Sequence, residues 1–528
     1  CPFVEHFYCA PAAVLNNQKM ARPSEANAFV ALHRGNVAAL KNQLDMGVSP
    51  NARSNNKTLL LEAIRYENFD ACQLLVERGA DVKLALGDRT SLLHVAASSS
   101  QADVCQLLLE HGAGVNQANG WGWSPLYIAV FNEHLDVIQL LLEHGADVHQ
   151  TDNGGWSPLH RAASKGHMEM CQMLLDHGAD VHQADNGGGL PLYAAAREGH
   201  LNVCQLLVAR GADVKQTNIH GESPLYIAAS KGHAAVCELL IESGADVQQA
   251  THNDILPLHV AAYRGHADVC RLLLDNGTNA EWPTNNGTSS LYLAARDGHM
   301  DVCRLLLGHG ADANQATDDG QSPLFIAAQE SRVDVCRLLL ARGADIALVD
   351  NDGRSPLFIA AMLGRLHVCR LLLEHGADVK QAANNGWSPL YMAAWENHAD
   401  VCQLLVGHNA NVDQTSANGS TPLLIATLAG NLYVCRLLLQ HGANVNHTMY
   451  DGTFPLLAAA RRDDEALVQL LLDHGADACQ DDCRALFAAV EPHHNCFHIL
   501  LDRVRQQEYQ RGRRQTLMQH PLRNLAHP

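Results

Sequence analysis

The stretch "DVCRLLLGHGADANQ" at residues 301–315 decides the fold, because close copies of it recur along the chain at a fixed spacing. Its glycine belongs to a series in which successive positions lie 33 residues apart, with Gly47 preceding the series by 32. The series is Gly79, Gly112, Gly145, Gly178, Gly211, Gly244, Gly277, Gly310, Gly343, Gly376, Asn409, Gly442 and Gly475. A period of this length predicts a repeat architecture rather than separate globular domains. Asn409 indicates that the position ends a helix, since asparagine also tolerates the left-handed conformation found there.

Each repeat has the same internal order. A turn such as "DDG" or "NNG" is followed by Ser/Thr-Pro-Leu, as in Ser124–Leu126, which is typical of an N-cap hydroxyl and a proline in the first helical turn. A short helix, a Gly-His turn, a second helix such as "VCRLLL" and the segment "HGADV" complete the repeat. Leu92 and Ser290 replace the proline in two repeats.

This order resembles the ankyrin repeat, through the start Ser157–His160 and the end Gly145–Val148. The resemblance implies an all-α repeat solenoid, an ankyrin array of helix-turn-helix units joined by β-hairpin-like turns. We expect an N-terminal tail at 1–23, an array at 24–505 of about fourteen repeats plus a shortened terminal one, and a basic C-terminal tail at 506–528. One repeat cannot bury its apolar faces alone, so stacking should create a continuous core.

Composition narrows the function classes. Hydrophobic residues make up 47% of the 528 residues and aromatic residues only 5%, which predicts a large aliphatic core. The formal net charge of -19 argues against a nucleic-acid surface, which needs a basic face. The absence of any apolar run of ~18 residues predicts no membrane span. We therefore expect a protein or peptide partner, no nucleic acid, and a monomeric chain.

One cysteine position recurs in the second helix of eleven repeats. It holds Cys72, Cys105, Cys171, Cys204, Cys237, Cys270, Cys303, Cys336, Cys369, Cys402 and Cys435. Ile138 and Val468 occupy the same position in two other repeats, which indicates an apolar core position. Neighbouring helices about 8–10 Å apart are too distant for disulfides or shared zinc. So many unpaired thiols favour a reducing compartment, the cytosol or the nucleus.

Most histidines fall into three scaffold positions: the start of the second helix (His299), the residue before the terminal glycine (His309), and the position after Pro-Leu (His259). The best metal candidate is a group near the C-terminus comprising Cys479, Cys483, His493, His494, Cys496 and His498. Cys483 and His493 should lie about 15 Å apart at opposite ends of one helix, which disfavours zinc. No phosphate-binding loop or nucleophile elbow is present. We expect no catalytic residue, no metal, no cofactor and no enzymatic activity.

Function is expected at positions that vary between repeats, because scaffold positions are fixed by packing. These are the turn tip, the residue two before the proline position, and the two residues that end the first helix. The resemblance implies that they line a concave partner-binding face. The predicted partner-binding residues are Trp121, Trp123, Phe131, Trp156, Tyr263, Arg264, Arg354, Trp387 and Trp395, since Trp, Tyr and Arg dominate interface energetics. Tyr127 and Tyr391 follow Pro-Leu and are expected to be packed.

We therefore interpret the chain as a non-enzymatic intracellular scaffold that binds partner proteins or peptides. One alternative is a substrate-recruiting adaptor of a larger complex such as a ubiquitin ligase. Another is a zinc-binding protein that uses the C-terminal Cys/His group. The resemblance also makes Asn116, Asn314 and Asn446 candidates for hydroxylation, because they occupy the hairpin position that asparagine hydroxylases favour.

Overall fold

A computed structural model describes residues 24–55, 57–489 and 495–510. In these residues the chain forms 30 helices and one short antiparallel pair of strands, β1 (Arg53–Ser54) and β2 (Lys57–Thr58). The chain divides into an N-terminal block, Cys1–Ile219, and a C-terminal block, His220–Pro528. The N-terminal block holds α1 (Glu25–His33), α2 (Val37–Asp45), α3 (Leu59–Arg65), α4 (Phe69–Glu77), α5 (Leu92–Ser98), α6 (Ala102–Glu110), α7 (Pro125–Asn132), α8 (Leu135–Glu143), α9 (Pro158–Lys165), α10 (Met168–Asp176), α11 (Pro191–Glu198) and α12 (Leu201–Ala209).

The C-terminal block continues the series of helix pairs. It holds α13 (Pro224–Lys231), α14 (Ala234–Glu242), α15 (Pro257–Arg264), α16 (Ala267–Asp275), α17 (Ser290–Asp297), α18 (Met300–Gly308), α19 (Pro323–Gln329), α20 (Val333–Ala341), α21 (Pro356–Met362), α22 (Leu366–Glu374), α23 (Pro389–Trp395), α24 (Ala399–Gly407), α25 (Pro422–Ala429), α26 (Leu432–Gln440), α27 (Pro455–Arg461), α28 (Glu465–Asp473), α29 (Gln480–Ala488) and α30 (Cys496–Gln510). The predicted array boundary at residue 505 falls inside α30. The predicted N-terminal tail lies outside the described residues, as does the C-terminal tail beyond residue 510.

The helix boundaries follow the local sequence signals. In α19, the Ser322 hydroxyl accepts a hydrogen bond from the Phe325 backbone N–H at 3.1 Å, and Pro323 opens the helix. Gly310 and Asn409 end their repeats' second helices with left-handed φ values of 86° and 64°. The predicted capping and termination are confirmed, and with them the all-α repeat solenoid.

The core runs through the second helices and the alanine-rich first helices. All eleven cysteines of the recurring position are fully buried, and so are Ile138 and Val468, which confirms an apolar core position. Burial raises the pKa of Cys303 and Cys336 to about 12. Among the described residues, all of these cysteines are free thiols.

Packing links each repeat to its immediate neighbours. In the N-terminal block, α9 packs against α7, α10 and α11. In the C-terminal block, α18 packs against α16, α17 and α20. Because the apolar contacts are mainly within a repeat and with adjacent repeats, stability should be distributed along each block.

Hydrogen bonds between hairpin tips add a second link between repeats. The Asn186 backbone N–H donates to the Gly154 carbonyl at 3.1 Å, and the Asn186 amide donates to the Asn153 carbonyl at 3.1 Å. Gly155 is needed for this approach, because its φ is 82° and a Cβ there would lie 2.6 Å from the Asn186 nitrogen. The same arrangement recurs at Gly353, beside Asn384.

Histidines at the predicted scaffold positions make a third link. The His299 Nε2 donates to the carbonyl of Tyr263 in the preceding repeat at 3.0 Å. The His309 Nδ1 donates to the Leu305 carbonyl within its own helix at 3.0 Å. The buried His259 accepts from the Leu256 N–H at 2.9 Å and donates to the Trp282 carbonyl at 2.8 Å. These hydrogen bonds give histidine a structural role at each of the three scaffold positions.

None of the described helices combines the length and the apolar character that crossing a membrane would require.

Candidate functional site

The structure brings three of the predicted aromatic residues into direct contact in the N-terminal block. The Trp121 and Trp123 ring centroids lie 6.0 Å apart, and Trp123 stacks on Phe131 at 5.2 Å. The Trp121 side chain is 50% exposed, whereas Trp123 and Phe131 are half-buried. Tyr127 is fully buried beneath Trp123, as predicted, with ring centroids 5.5 Å apart. We call Trp121, Trp123, Phe131 and Trp156 the N-terminal aromatic cluster.

The hairpin before α7 sets the positions of its two tryptophans. The Asn119 side-chain oxygen accepts hydrogen bonds from the backbone N–H groups of Trp121 and Trp123, both at 3.0 Å. Gly122 between them adopts a left-handed φ of 82°, which a residue with a side chain rarely adopts. Asp152 holds the Trp156 N–H in the same way in the next repeat, at 2.9 Å. The backbone therefore presents tryptophan side chains at equivalent positions of successive repeats.

Arg161 connects Trp156 to the other rings of the cluster. Its guanidinium carbon lies 5.1 Å from the Phe131 ring centroid and 4.9 Å from that of Trp156, within the range of cation–π attraction. The Arg161 Nε and Nη2 also donate to the Tyr127 hydroxyl at 3.3 and 3.0 Å. Trp123 and Trp156 are therefore parts of one surface, joined through Phe131 and Arg161.

Sequence reasoning missed Arg161, although a signal was available. The position after Pro-Leu-His is aliphatic in the other repeats from 95 to 425. Those repeats carry Val95, Ile128, Ala194, Ile227, Val260, Leu293, Ile326, Ile359, Met392 and Ile425. A guanidinium in an otherwise aliphatic position has no packing explanation, so comparing this position between repeats would have found the residue.

Two further cations border the cluster, and both carry carboxylate partners. The Lys165 ammonium lies 5.2 Å from the Phe131 ring centroid and pairs with Glu133 at 2.7 Å. The Arg197 guanidinium lies 5.7 Å from the Trp156 centroid and pairs with Glu198 at 2.8 Å. Hydrogen bonds lower the pKa of the Glu133 carboxyl, and the bond from Lys165 has the largest effect. The cluster is therefore an aromatic surface with cations at its edges.

The C-terminal block contains the second predicted aromatic group. Trp387 stacks on Tyr391 with centroids 5.8 Å apart, and Trp395 meets Trp387 edge-on at 5.5 Å. Tyr391 is buried, as predicted, and Trp395 is exposed. Met362 and Leu428 occupy the Trp395 position in the adjacent repeats, so an apolar band continues on both sides of this C-terminal aromatic cluster.

Tyr263 and Arg264 lie beside a groove in the C-terminal block. The groove has a volume of about 650 Å³ and is lined by Tyr226, Ile255, Tyr263, Tyr292, Arg296 and Gln321, among others. The Tyr263 ring lies 5.2 Å from the Arg264 guanidinium carbon and 5.0 Å from that of Arg296. The Tyr263 ring therefore contacts the predicted Arg264 and also Arg296, which was not predicted.

Arg354 is held within its own repeat. Its guanidinium donates to the buried Asp350 carboxylate at 2.7 Å and pairs with Asp352 at 3.0 Å. Removing it would leave a buried carboxylate without its cation, which is costly. Arg354 stabilises its own hairpin, and it occupies the repeat position that Trp387 has in the next repeat.

Only part of the candidate metal group lies in the described residues. Across the described ranges, no three His, Cys, Asp or Glu side chains are placed to hold a metal ion. His493 and His494 lie outside the described residues. Cys479, Cys483, Cys496 and His498 are described, and burial raises the pKa of Cys483 to about 12.

The three candidate hydroxylation asparagines all make the same link to the next repeat. The Asn314 side-chain oxygen accepts from the Asp345 backbone N–H at 2.7 Å. Asn116 accepts from Asp147, and Asn446 from Asp477, each at 2.8 Å. Each of the three asparagines is exposed or half-buried. Their side chains therefore have a structural role in joining hairpins.

Comparison with protein families matches this architecture. A family described as "Ankyrin repeats (3 copies)" matches residues 28–119, 93–185, 147–218, 183–251, 225–317, 258–350, 291–383, 344–416 and 379–449. A second, described as "Ankyrin repeats (many copies)", matches residues 428–472. The chain belongs to the ankyrin repeat family, whose repeats are generally protein–protein interaction modules. A comparison with curated proteins found no match.

Proposed function

We propose that this protein is a binding scaffold whose N-terminal aromatic cluster holds an apolar segment of a partner protein. The observation that carries the proposal is the group of Trp121, Trp123, Phe131 and Trp156 side chains at variable positions of successive repeats. Trp121 is half exposed, and its position is not required by packing. Exposed aromatic clusters of this kind often mark partner sites.

The binding surface would be preformed. Its tryptophans stand on hairpins fixed by Asn119 and Asp152, and its Phe131 lies near the end of α7. A surface fixed before binding loses little conformational entropy on association, so more of the interaction free energy appears as affinity. Binding alone is the proposed activity, and the many free thiols favour a reducing compartment as its location.

The proposal is tested with the double variant Trp123→Ala/Trp156→Ala. A displayed library of random peptides is selected on the full-length chain, and enriched peptides are synthesised and titrated against each variant. We expect the double variant to weaken binding of cluster-directed peptides by at least ~2 kcal/mol, about thirtyfold. Far-UV circular dichroism should be unchanged, because the hairpin hydrogen bonds use backbone N–H groups.

The matched control is Trp387→Ala/Trp395→Ala, which removes two tryptophans from the C-terminal aromatic cluster. It should leave the affinity of the same peptides unchanged. If the selected peptides bind Trp123→Ala/Trp156→Ala as tightly as the wild type but lose affinity for the control, the partner site lies in the C-terminal block and the proposal is wrong.

A further inference from the structure

Arg161 is a positive charge at a position that the other repeats from 95 to 425 fill with an aliphatic residue at the edge of the core. Ile128 and Ile227 at this position are buried, whereas Val95, Val260 and Leu293 are half-buried, as Arg161 is. An arginine here forgoes the apolar burial that an aliphatic side chain gains. A charged residue at an otherwise aliphatic position, beside a variable aromatic surface, is a candidate for recognition.

The guanidinium is held in place and still has hydrogen-bond donors available. Arginine has five N–H donors, and the Tyr127 hydroxyl accepts from two Arg161 nitrogens. Within the described part of the chain, Arg161 forms no ion pair with a carboxylate. The nearby Asp152 is already engaged, because it accepts from the Tyr127 hydroxyl at 2.8 Å and from the N–H groups of Gly154 and Trp156.

The surroundings strengthen attraction for an anion. The rings of Tyr127, Phe131 and Trp156 lie 4.9 to 5.6 Å from the Arg161 guanidinium carbon, so they exclude water from one part of it. Lys165 and Arg197 flank the site, and their pairs with Glu133 and Glu198 are partly exposed. Exposed pairs contribute only about 0–1 kcal/mol, so the pair with Glu133 holds Lys165 only weakly when an anion binds nearby.

We propose that Arg161 binds the carboxylate of an aspartate or glutamate in the partner segment, next to an apolar side chain that rests on Trp123 and Phe131. The planar guanidinium suits a carboxylate because it can donate two parallel hydrogen bonds to the two oxygens. The cluster thus recognises a short motif that joins one acidic and one apolar residue. This inference rests on the proposed function, since it names the partner chemistry of the same cluster.

The test compares Arg161→Ile with the wild-type chain. Isoleucine occupies this position in Ile128 and Ile227, so the variant should fold, and its circular dichroism spectrum should match that of the wild type. Peptides selected on the wild-type chain should be enriched in Asp or Glu beside an apolar residue. Binding of such a peptide should weaken at least tenfold in Arg161→Ile. The version of the peptide with Asn or Gln in place of its acid should bind both chains equally.

A second selection on Arg161→Glu should enrich Lys or Arg at the former acidic position. The affinity of the wild-type chain should also fall as salt rises, and Arg161→Ile should show a weaker dependence. If selected peptides need Trp123 and Trp156 but carry no acidic preference and bind Arg161→Ile normally, the inference is wrong while the proposed function stands. If no selected peptide depends on the two tryptophans, both are wrong.

Discussion

At the scale of single residues, the recurring cysteine shows how a chemically reactive side chain serves as a core residue. Cys303 and Cys336 are fully buried, and burial raises the pKa of each thiol to about 12. Thiolate is the reactive form, so these cysteines should react slowly at neutral pH. Cys479 is only half-buried.

We therefore expect short pulses of alkylating reagent on the native protein to modify Cys479 well before Cys303 or Cys336. Mass spectrometry of tryptic peptides gives the order of modification. Labelling in denaturant is the control, and there the three cysteines should react at equal rates. Rapid native modification of Cys303 would mean that its helix opens readily, which contradicts a core role. The same experiment tests the prediction that Cys1 and Cys9, which lie outside the described residues, react early.

His259 predicts a loss of stability on acidification. Burial lowers the pKa of its imidazole to about 4, whereas the unfolded side chain has an ordinary value of about 6.5. Above pH 6.5 the His259 ring is neutral in both the folded and the unfolded state, so its burial does not lower the free energy of unfolding. Between pH 6.5 and 4 only the unfolded state takes up the proton, so stability falls as pH falls, by up to about 3 kcal/mol for this group.

An NMR titration of the His259 ring checks the pH effect directly. The ring should stay neutral to about pH 4, while the exposed His149 serves as the comparison residue in the same spectrum. Hydrogen exchange in α15 should also quicken between pH 7 and 5 beyond the intrinsic pH effect. A His259 midpoint near its ordinary pKa would show that the ring is not buried as described.

At the scale of elements, the repeat requires glycine after the second helix (Gly145) and at the hairpin tip (Gly155) for two separable reasons. Gly145 and Gly155 have similar left-handed φ values of 78° and 82°. A Cβ at Gly145 would meet nothing within 4 Å, whereas a Cβ at Gly155 would lie 2.6 Å from the backbone nitrogen of Asn186. Gly145 is required only by its left-handed backbone conformation. Gly155 is required by the same conformation and also by the close approach of the next repeat.

The pair Gly145→Ala and Gly155→Ala separates these reasons. We expect Gly145→Ala to cost about 1–2 kcal/mol from backbone strain. Gly155→Ala should cost distinctly more, because the Asn186 hairpin must also move and its hydrogen bond to the Gly154 carbonyl is weakened. Thermal melting of both variants gives the comparison, and hydrogen exchange near residue 186 gives the location. Equal melting temperatures would show that tip contact adds no stability.

The sequence signals at this scale explain which elements were predictable. Ser322 and Pro323 start α19, and Gly310 ends the repeat before it, because capping depends on residue type and on local backbone conformation. The hydrogen bond between Asn186 and Gly154 was not predictable. Its donor and acceptor are backbone groups of different repeats, and backbone groups carry no sequence signature.

At the scale of the whole molecule, contacts with adjacent repeats predict that damage stays local. Leu306 is fully buried in α18, which packs against α16, α17 and α20. Leu306→Ala should cost about 2–5 kcal/mol through the cavity that it leaves. Hydrogen exchange should show weakened protection between residues 280 and 345 and little change between 100 and 150.

The matched control for that prediction is Leu141→Ala in α8 of the N-terminal block, where the leucine is equally buried. It should reverse the pattern: protection should weaken near residue 141 and stay unchanged near residue 306. Uniform loss of protection along the chain in either variant would contradict distributed stability.

The repeat register predicted nearly the whole fold, whereas the candidate site was predicted only in part. Aligning the repeats shows which positions vary, and large side chains at such positions are easily recognised. This comparison predicted Trp121, Trp123 and Phe131. Arg161 was missed because an arginine on a short helix looks like an ordinary solvated residue until the rings around it are known. Comparing the position between repeats marks Arg161 as unusual, but its contacts with Tyr127, Phe131 and Trp156 appear only in three dimensions.

The contacts between adjacent hairpins and helices also set the response to mechanical tension. A repeat at the free end of a stack has one neighbouring repeat, so a pulling force applied there breaks one interface at a time. Each detached repeat of 33 residues has a stretched length of about 110 Å at ~3.3 Å per residue. Extension within a block should therefore advance in steps of nearly equal length, so that the chain yields gradually under load while its remaining repeats stay folded.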